Sequence, residues 1–138
     1  MDLNRDLIQW RFQDIRQSLE RLERIKKFSR EAFLSDQDAL DLACYRLLVA
    51  IQAAIQICFH VCARQLQRVP EEYAECFAIL GEAGIIPQEL SRNLQKMARF
   101  RNMLVHLYWT VDYERLYDII HENLDDLRRF VRAIGELL

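Results

Sequence analysis

The chain has 138 residues, 51% of them apolar, with seven Phe, five Tyr and two Trp, which suits a single domain (1–138) with a packed core. Three glycines and two prolines leave few turn positions and argue for long helices over a multi-stranded sheet. A net charge of −2 excludes a broadly basic nucleic-acid binder, so any such contact must come from a local patch.

The N-terminus, Met1-Asp2-Leu3-Asn4-Arg5, lacks a basic-then-apolar export signal, and a cytoplasmic protein is expected. A first helix is predicted from about Leu3 into the low thirties, because Ile8, Phe12, Ile15, Leu19 and Leu22 form one apolar stripe. Ser35-Asp36-Gln37-Asp38 resembles a capping box with an acid in place of Glu. It opens a second helix reaching about Arg68. This helix is apolar over most of its circumference and should be central. Its most apolar run, Leu47–Ala63, has 17 residues and is broken by Gln52, Gln56 and His60. A membrane span needs about 20 mostly apolar residues, so a buried soluble helix and no membrane contact are expected. The stripe of Gln52, Gln56, His60 and Arg64 reads either as a solvated or interhelical face or as part of a cleft lining.

Pro70 precedes a third helix from about Glu71, which Gly81 and Gly84 end. Pro87 starts a fourth, and Asp112 caps a fifth, with Val111 and Leu116 placed as a hydrophobic staple. Tyr113, Leu116, Ile120, Leu124, Leu127, Val131 and Ile134 give the fifth an apolar face; His121 carries no assignment. The expected fold is all-α, an up-and-down bundle of four long helices and one short one. Cys44, Cys58, Cys62 and Cys76 show no C-x-x-C spacing and read as free core thiols. No metal site and no cofactor are expected.

Chemistry concentrates at the end of the fourth helix, in Arg101-Asn102-Met103-Leu104-Val105-His106-Leu107-Tyr108. Arginine grips phosphate, and histidine moves protons near neutral pH. At about 100° per residue, Arg101 shares a face with Leu90, Leu94, Met97, Ala98 and Val105. A charge there needs a core acid, a neighbouring subunit or a ligand phosphate. His106 lies elsewhere on the wheel, one turn after Asn102, which is placed to fix its tautomer by a hydrogen bond. Arg92, Lys96 and Arg99 supply the local basic patch for an RNA backbone. Arg101 and His106 diverge by about 140°. Their convergence needs a long reach by Arg101, unwinding near His106, or a dimer. Taken singly, these residues also read as a core ion pair, a helix cap and packing aromatics.

The run is similar to the R-x4-H-x-Y signature of HepT-type toxins, a branch of the HEPN ribonuclease superfamily. The likeness extends to Tyr45–Ala53, Pro70-Glu71-Glu72-Tyr73, Leu80–Pro87 and onward to Val111-Asp112. Helix one is similar only in character. The resemblance implies a HEPN-like homodimer and a metal-independent endoribonuclease of a toxin–antitoxin pair. Arg101 would hold the scissile phosphate and Asn102 would orient the site. His106 would act as general base or acid for attack by the 2′-hydroxyl. It also implies a partner, a minimal nucleotidyltransferase antitoxin that adenylylates Tyr108. Leu107 departs from the acidic residue common among relatives, a change expected to tune the site. The competing reading is a non-catalytic dimeric helical module that binds a nucleotidyltransferase and presents its substrate.

Overall fold

A computed structural model describes residues 2–106 and 110–138, which form α1 (Arg5–Ile25), α2 (Arg30–Leu34), α3 (Gln37–Gln65), α4 (Tyr73–Glu82), α5 (Gln88–His106), α6 (Tyr113–Glu122) and α7 (Leu124–Gly135). The all-helical expectation holds, but the described residues contain seven helices where five were expected. The first expected helix is cut after Ile25. Ser29 adopts extended backbone and its hydroxyl accepts from the Ala32 amide, restarting the chain as α2. This break swings Phe33 into the core, against Tyr117. The last expected helix is cut at Asn123, whose carboxamide donates to Asp126 in local competition with helical backbone bonding. The apolar stripe runs on through both α6 and α7, so periodicity does not reveal the break.

Capping follows the sequence with one shift. Asp36, not Ser35, caps α3 by accepting from the Ala39 amide, while the Ser35 hydroxyl donates to the Glu31 carbonyl at the end of α2. Asp112 caps α6 as expected, accepting from the Arg115 amide. Gly84 adopts φ +76° after α4, the left-handed turn that favours glycine. Gly81 does not terminate α4 but lies inside it. A Cβ there would come within 2.7 Å of Ser91 Oγ on α5, so this glycine sets how closely the two helices approach.

α1 packs along α3, and α4 packs on α5. α3 is long and apolar enough to cross a bilayer by length and composition alone, contrary to the shorter run expected. In this fold Leu47, Ala50, Ile51, Ala54, Ile57 and Val61 are buried in the bundle, which is where their apolar surface is used. The polar stripe of α3 is divided: Gln56 is exposed, whereas Gln52 reaches Arg101 on α5 and His60 and Arg64 reach the residues that precede α1. His60 Nε2 accepts from the Asn4 amide at 2.9 Å, and Arg64 donates to the Asp2 carbonyl at 3.1 Å, pinning the start of α1. His121, unassigned from sequence, joins α6 to the end of α1. Its two ring nitrogens face the carbonyls of Tyr117 and Lys26 at 2.8 and 3.1 Å.

The cysteine expectation is corrected. Cys58 on α3 and Cys76 on α4 are joined as a disulfide, while Cys44 and Cys62 are free. Their spacing of 18 residues is set by how α3 and α4 cross, which no local pattern reports. Burial pushes both free thiols up to about 11.

Candidate active site at the end of α5

α5 remains helical through His106, so the chain does not unwind before the histidine. Arg101 is only 9% exposed and turns toward α3 and α4. Its Nε donates to Gln52 Oε1 at 2.8 Å, and its Nη1 donates to Asn102 Oδ1 at 3.1 Å. The guanidinium carbon lies 4.6 Å from the centre of the Tyr73 ring, a cation–π arrangement. Among the described residues no carboxylate forms an ion pair with Arg101. Of the three partners open to a buried arginine, the core acid is therefore excluded within that part of the chain.

Asn102 departs from its expected role. Its side-chain oxygen accepts from Arg101 and does not bond to His106. A charged donor next door makes the stronger hydrogen bond. His106 is exposed at the last position of α5, and none of the described residues hydrogen-bonds to its ring.

Arg101, Asn102 and His106 nevertheless line one cleft of about 430 Å³, with Tyr73, Ala74, Arg99, Glu71 and Glu72. One chain thus brings the arginine and the histidine together despite their divergence on the wheel. The buried arginine forms the floor and the histidine stands at the rim. The basic strip is divided. Arg99 belongs to the cleft, whereas Lys96 lines a separate groove between α5 and α6 with Arg115, Asp118 and Glu122. Arg92 is exposed near the start of α5, where its charge helps hold the Glu89 carboxyl below its ordinary value, after the larger effect of the hydrogen bond from Arg129. Leu107 and Tyr108 lie outside the described residues.

Two site residues were not singled out from sequence. Tyr73 opens α4 and looks like a helix-start aromatic. Gln52 appears only as one member of an ambiguous stripe, although a carboxamide inside an apolar run is itself a hint of a buried polar partner. Among the described residues, one group of three potential metal ligands occurs: Cys58, Cys62 and Cys76, with sulfurs all within 4.8 Å. Two of these sulfurs are joined to each other, and the group lies outside the cleft lining.

The chain is 26% identical over 133 residues to the mRNA nuclease HepT of Shewanella oneidensis, covering 94% of this chain and 96% of that one. It is 29% identical to the tRNA nuclease HepT of Aphanizomenon flos-aquae, covering 96% and 90%. Its fold superposes with a TM-score of 0.88 on the tri-AMPylated HEPN toxin of Shewanella oneidensis in complex with an MNT antitoxin, at 25% identity and 96% and 99% coverage. Residues 15–134 match the family described as Ribonuclease HepT-like, and the chain belongs to that family.

Proposed function

We propose that this chain is the toxin of a toxin–antitoxin pair, a metal-independent endoribonuclease formed by one HEPN-like domain over residues 1–138. The observation that carries the reading is Arg101: a buried cation whose partners among the described residues, Gln52, Asn102 and Tyr73, are uncharged, open to a cleft that also holds His106. A phosphate diester is the ligand such a cation fits. With RNA in the cleft, His106 moves the proton at the 2′-hydroxyl and the 2′-oxygen attacks phosphorus. Arg101 offsets the charge that builds on the non-bridging oxygens. The bond to the 5′-oxygen breaks, and that oxygen receives the proton taken up by His106, leaving a 2′,3′-cyclic phosphate and a 5′-hydroxyl. Asn102 holds Arg101. Arg99 meets the RNA backbone at the mouth, and Arg92 and Lys96, on α5 but outside the cleft, supply separate cationic contacts to a longer RNA.

A nucleotidyltransferase antitoxin neutralises the toxin by transferring AMP from ATP to the Tyr108 hydroxyl, with release of pyrophosphate. The added phosphodiester sits two residues beyond His106 in sequence and competes with RNA for the same cation. Both proteins act in the cytoplasm, and the toxin works as a homodimer.

The test is tightly induced expression of wild type, Arg101→Ala and His106→Ala, with mapping of RNA ends. Growth arrest and new cyclic-phosphate ends are expected from wild type alone. Wild-type protein that accumulates folded without arrest would instead favour the non-catalytic module that presents substrate to a nucleotidyltransferase. Co-expression with the antitoxin should add adenylyl mass to the tryptic peptide carrying Tyr108.

A further inference from the structure

Arginine has five N–H donors. In Arg101, Nε is committed to Gln52 and one Nη1 hydrogen to Asn102. Both acceptors are neutral. One face of the guanidinium is covered by the Tyr73 ring, again a partner without charge. Among the described residues no acceptor takes the other three N–H groups, all on the Nη end. The cation is thereby fixed in direction, and no carboxylate among the described residues pairs with it, although Glu71 and Glu72 line the same cleft.

A glutamate or aspartate at position 52 would satisfy Nε equally well. It would also form an ion pair and compete with any phosphate for the same group. Gln52 satisfies the geometry without that competition. Tyr73 is held in turn, because Phe59 packs edge-on against it at 5.9 Å and 82°. Gln52 and Phe59 are two turns apart on α3, so one helix face holds both the arginine and the ring that covers it.

We propose that Gln52 and Tyr73 are positioning residues for Arg101. They aim its Nη edge at the scissile phosphate and keep its full charge available, so that the phosphate is gripped end-on through Nη1 and Nη2. This rests on the ribonuclease reading for the cleavage step, but the grip itself is a statement about anion binding.

The full chain is tested as Gln52→Glu, Tyr73→Phe and Tyr73→Leu, with His106→Ala as control. Two readouts are taken with melting temperature: cleavage of an RNA oligonucleotide, and fluorescence-anisotropy binding of the all-deoxy version, which cannot be cut. Gln52→Glu should keep or raise the melting temperature while kcat falls by roughly 100-fold, the scale of a misplaced or neutralised catalytic group. Its deoxy-oligonucleotide affinity should drop about 10-fold, the scale of one charge-assisted contact. Tyr73→Phe should retain cleavage and binding; Tyr73→Leu should lose both. His106→Ala should lose cleavage and keep binding. The inference is overturned if Gln52→Glu binds and cleaves like wild type, or if both Tyr73 variants are impaired alike and in step with their melting temperatures. If wild type binds but does not cleave, the ribonuclease reading fails and the binding comparison still decides the grip. If wild type neither binds nor cleaves, both fall.

Discussion

At the scale of single residues, the two histidines of known placement outside the cleft act on the frame. His60 accepts a hydrogen bond from the Asn4 amide through Nε2, which requires that nitrogen to be unprotonated. Its pKa lies below the ordinary 6.5, chiefly through burial and further through Arg64. A depressed pKa means that the unfolded chain takes up the proton first. The stabilisation is therefore complete above about 6.5 and is lost as pH falls through the lowered value. Glu23 and Glu89, held below 4.5 by hydrogen bonds from Arg128 and Arg129, lose theirs only lower, in the carboxylate range. Thermal melts from about pH 7.5 down to about pH 3 should show a shallow loss that His60→Gln flattens, followed by a steeper loss that it does not touch. An unchanged upper slope in His60→Gln would remove His60 as its source. From sequence, the R-x4-H spacing singles out Arg101 and His106, and both line one cleft. The wheel gives directions but not depth, so it overstates their separation. Gln52 is legible only as part of a stripe, because its partner lies 49 residues away and no local pattern reports a contact of that range.

At the scale of elements, the close approach of α4 and α5 depends on Gly81. Ser91 cannot simply yield to a new methyl group, because its hydroxyl donates to the Phe77 carbonyl at 2.8 Å and its Cβ would lie 2.8 Å from the added carbon. Gly81→Ala gains up to about 1 kcal/mol of helix propensity and incurs about 1–3 kcal/mol of overpacking. The expected balance in a urea titration is destabilisation of about 1 kcal/mol, since the clash falls on a hydrogen-bonded side chain. A more stable variant would show that Ser91 moves freely. The helices themselves are readable from apolar spacing and caps, and Asp112 is where the sequence puts it. The breaks at Ser29 and Asn123 are not readable, because the apolar stripe crosses them and only side-chain hydrogen bonds interrupt the backbone.

For the whole molecule, the helical class follows from composition, whereas the order of packing depends on contacts between distant segments. Phe77 on α4 and Phe130 on α7 meet edge to face at 5.7 Å, and both are essentially fully buried. They join the last helix to the pair that shapes the cleft. Phe130→Ala should lower stability by about 3–5 kcal/mol in chemical denaturation, enough to unfold a marginal domain of this size. A loss below about 1 kcal/mol would mean that α7 repacks or contributes little to the core.

The glycine in α4 also matters to anyone who selects for survivors. Cells that express an active toxin stop dividing, so escape from growth arrest enriches every change that disarms it. Bulky replacements at Gly81 would spread α4 from α5 and draw Tyr73 away from Arg101. In a saturation library they should therefore rise alongside changes at Arg101 and His106. A position with no side chain would be scored as catalytic, and only abundance of the folded protein would separate the wedge from the chemistry.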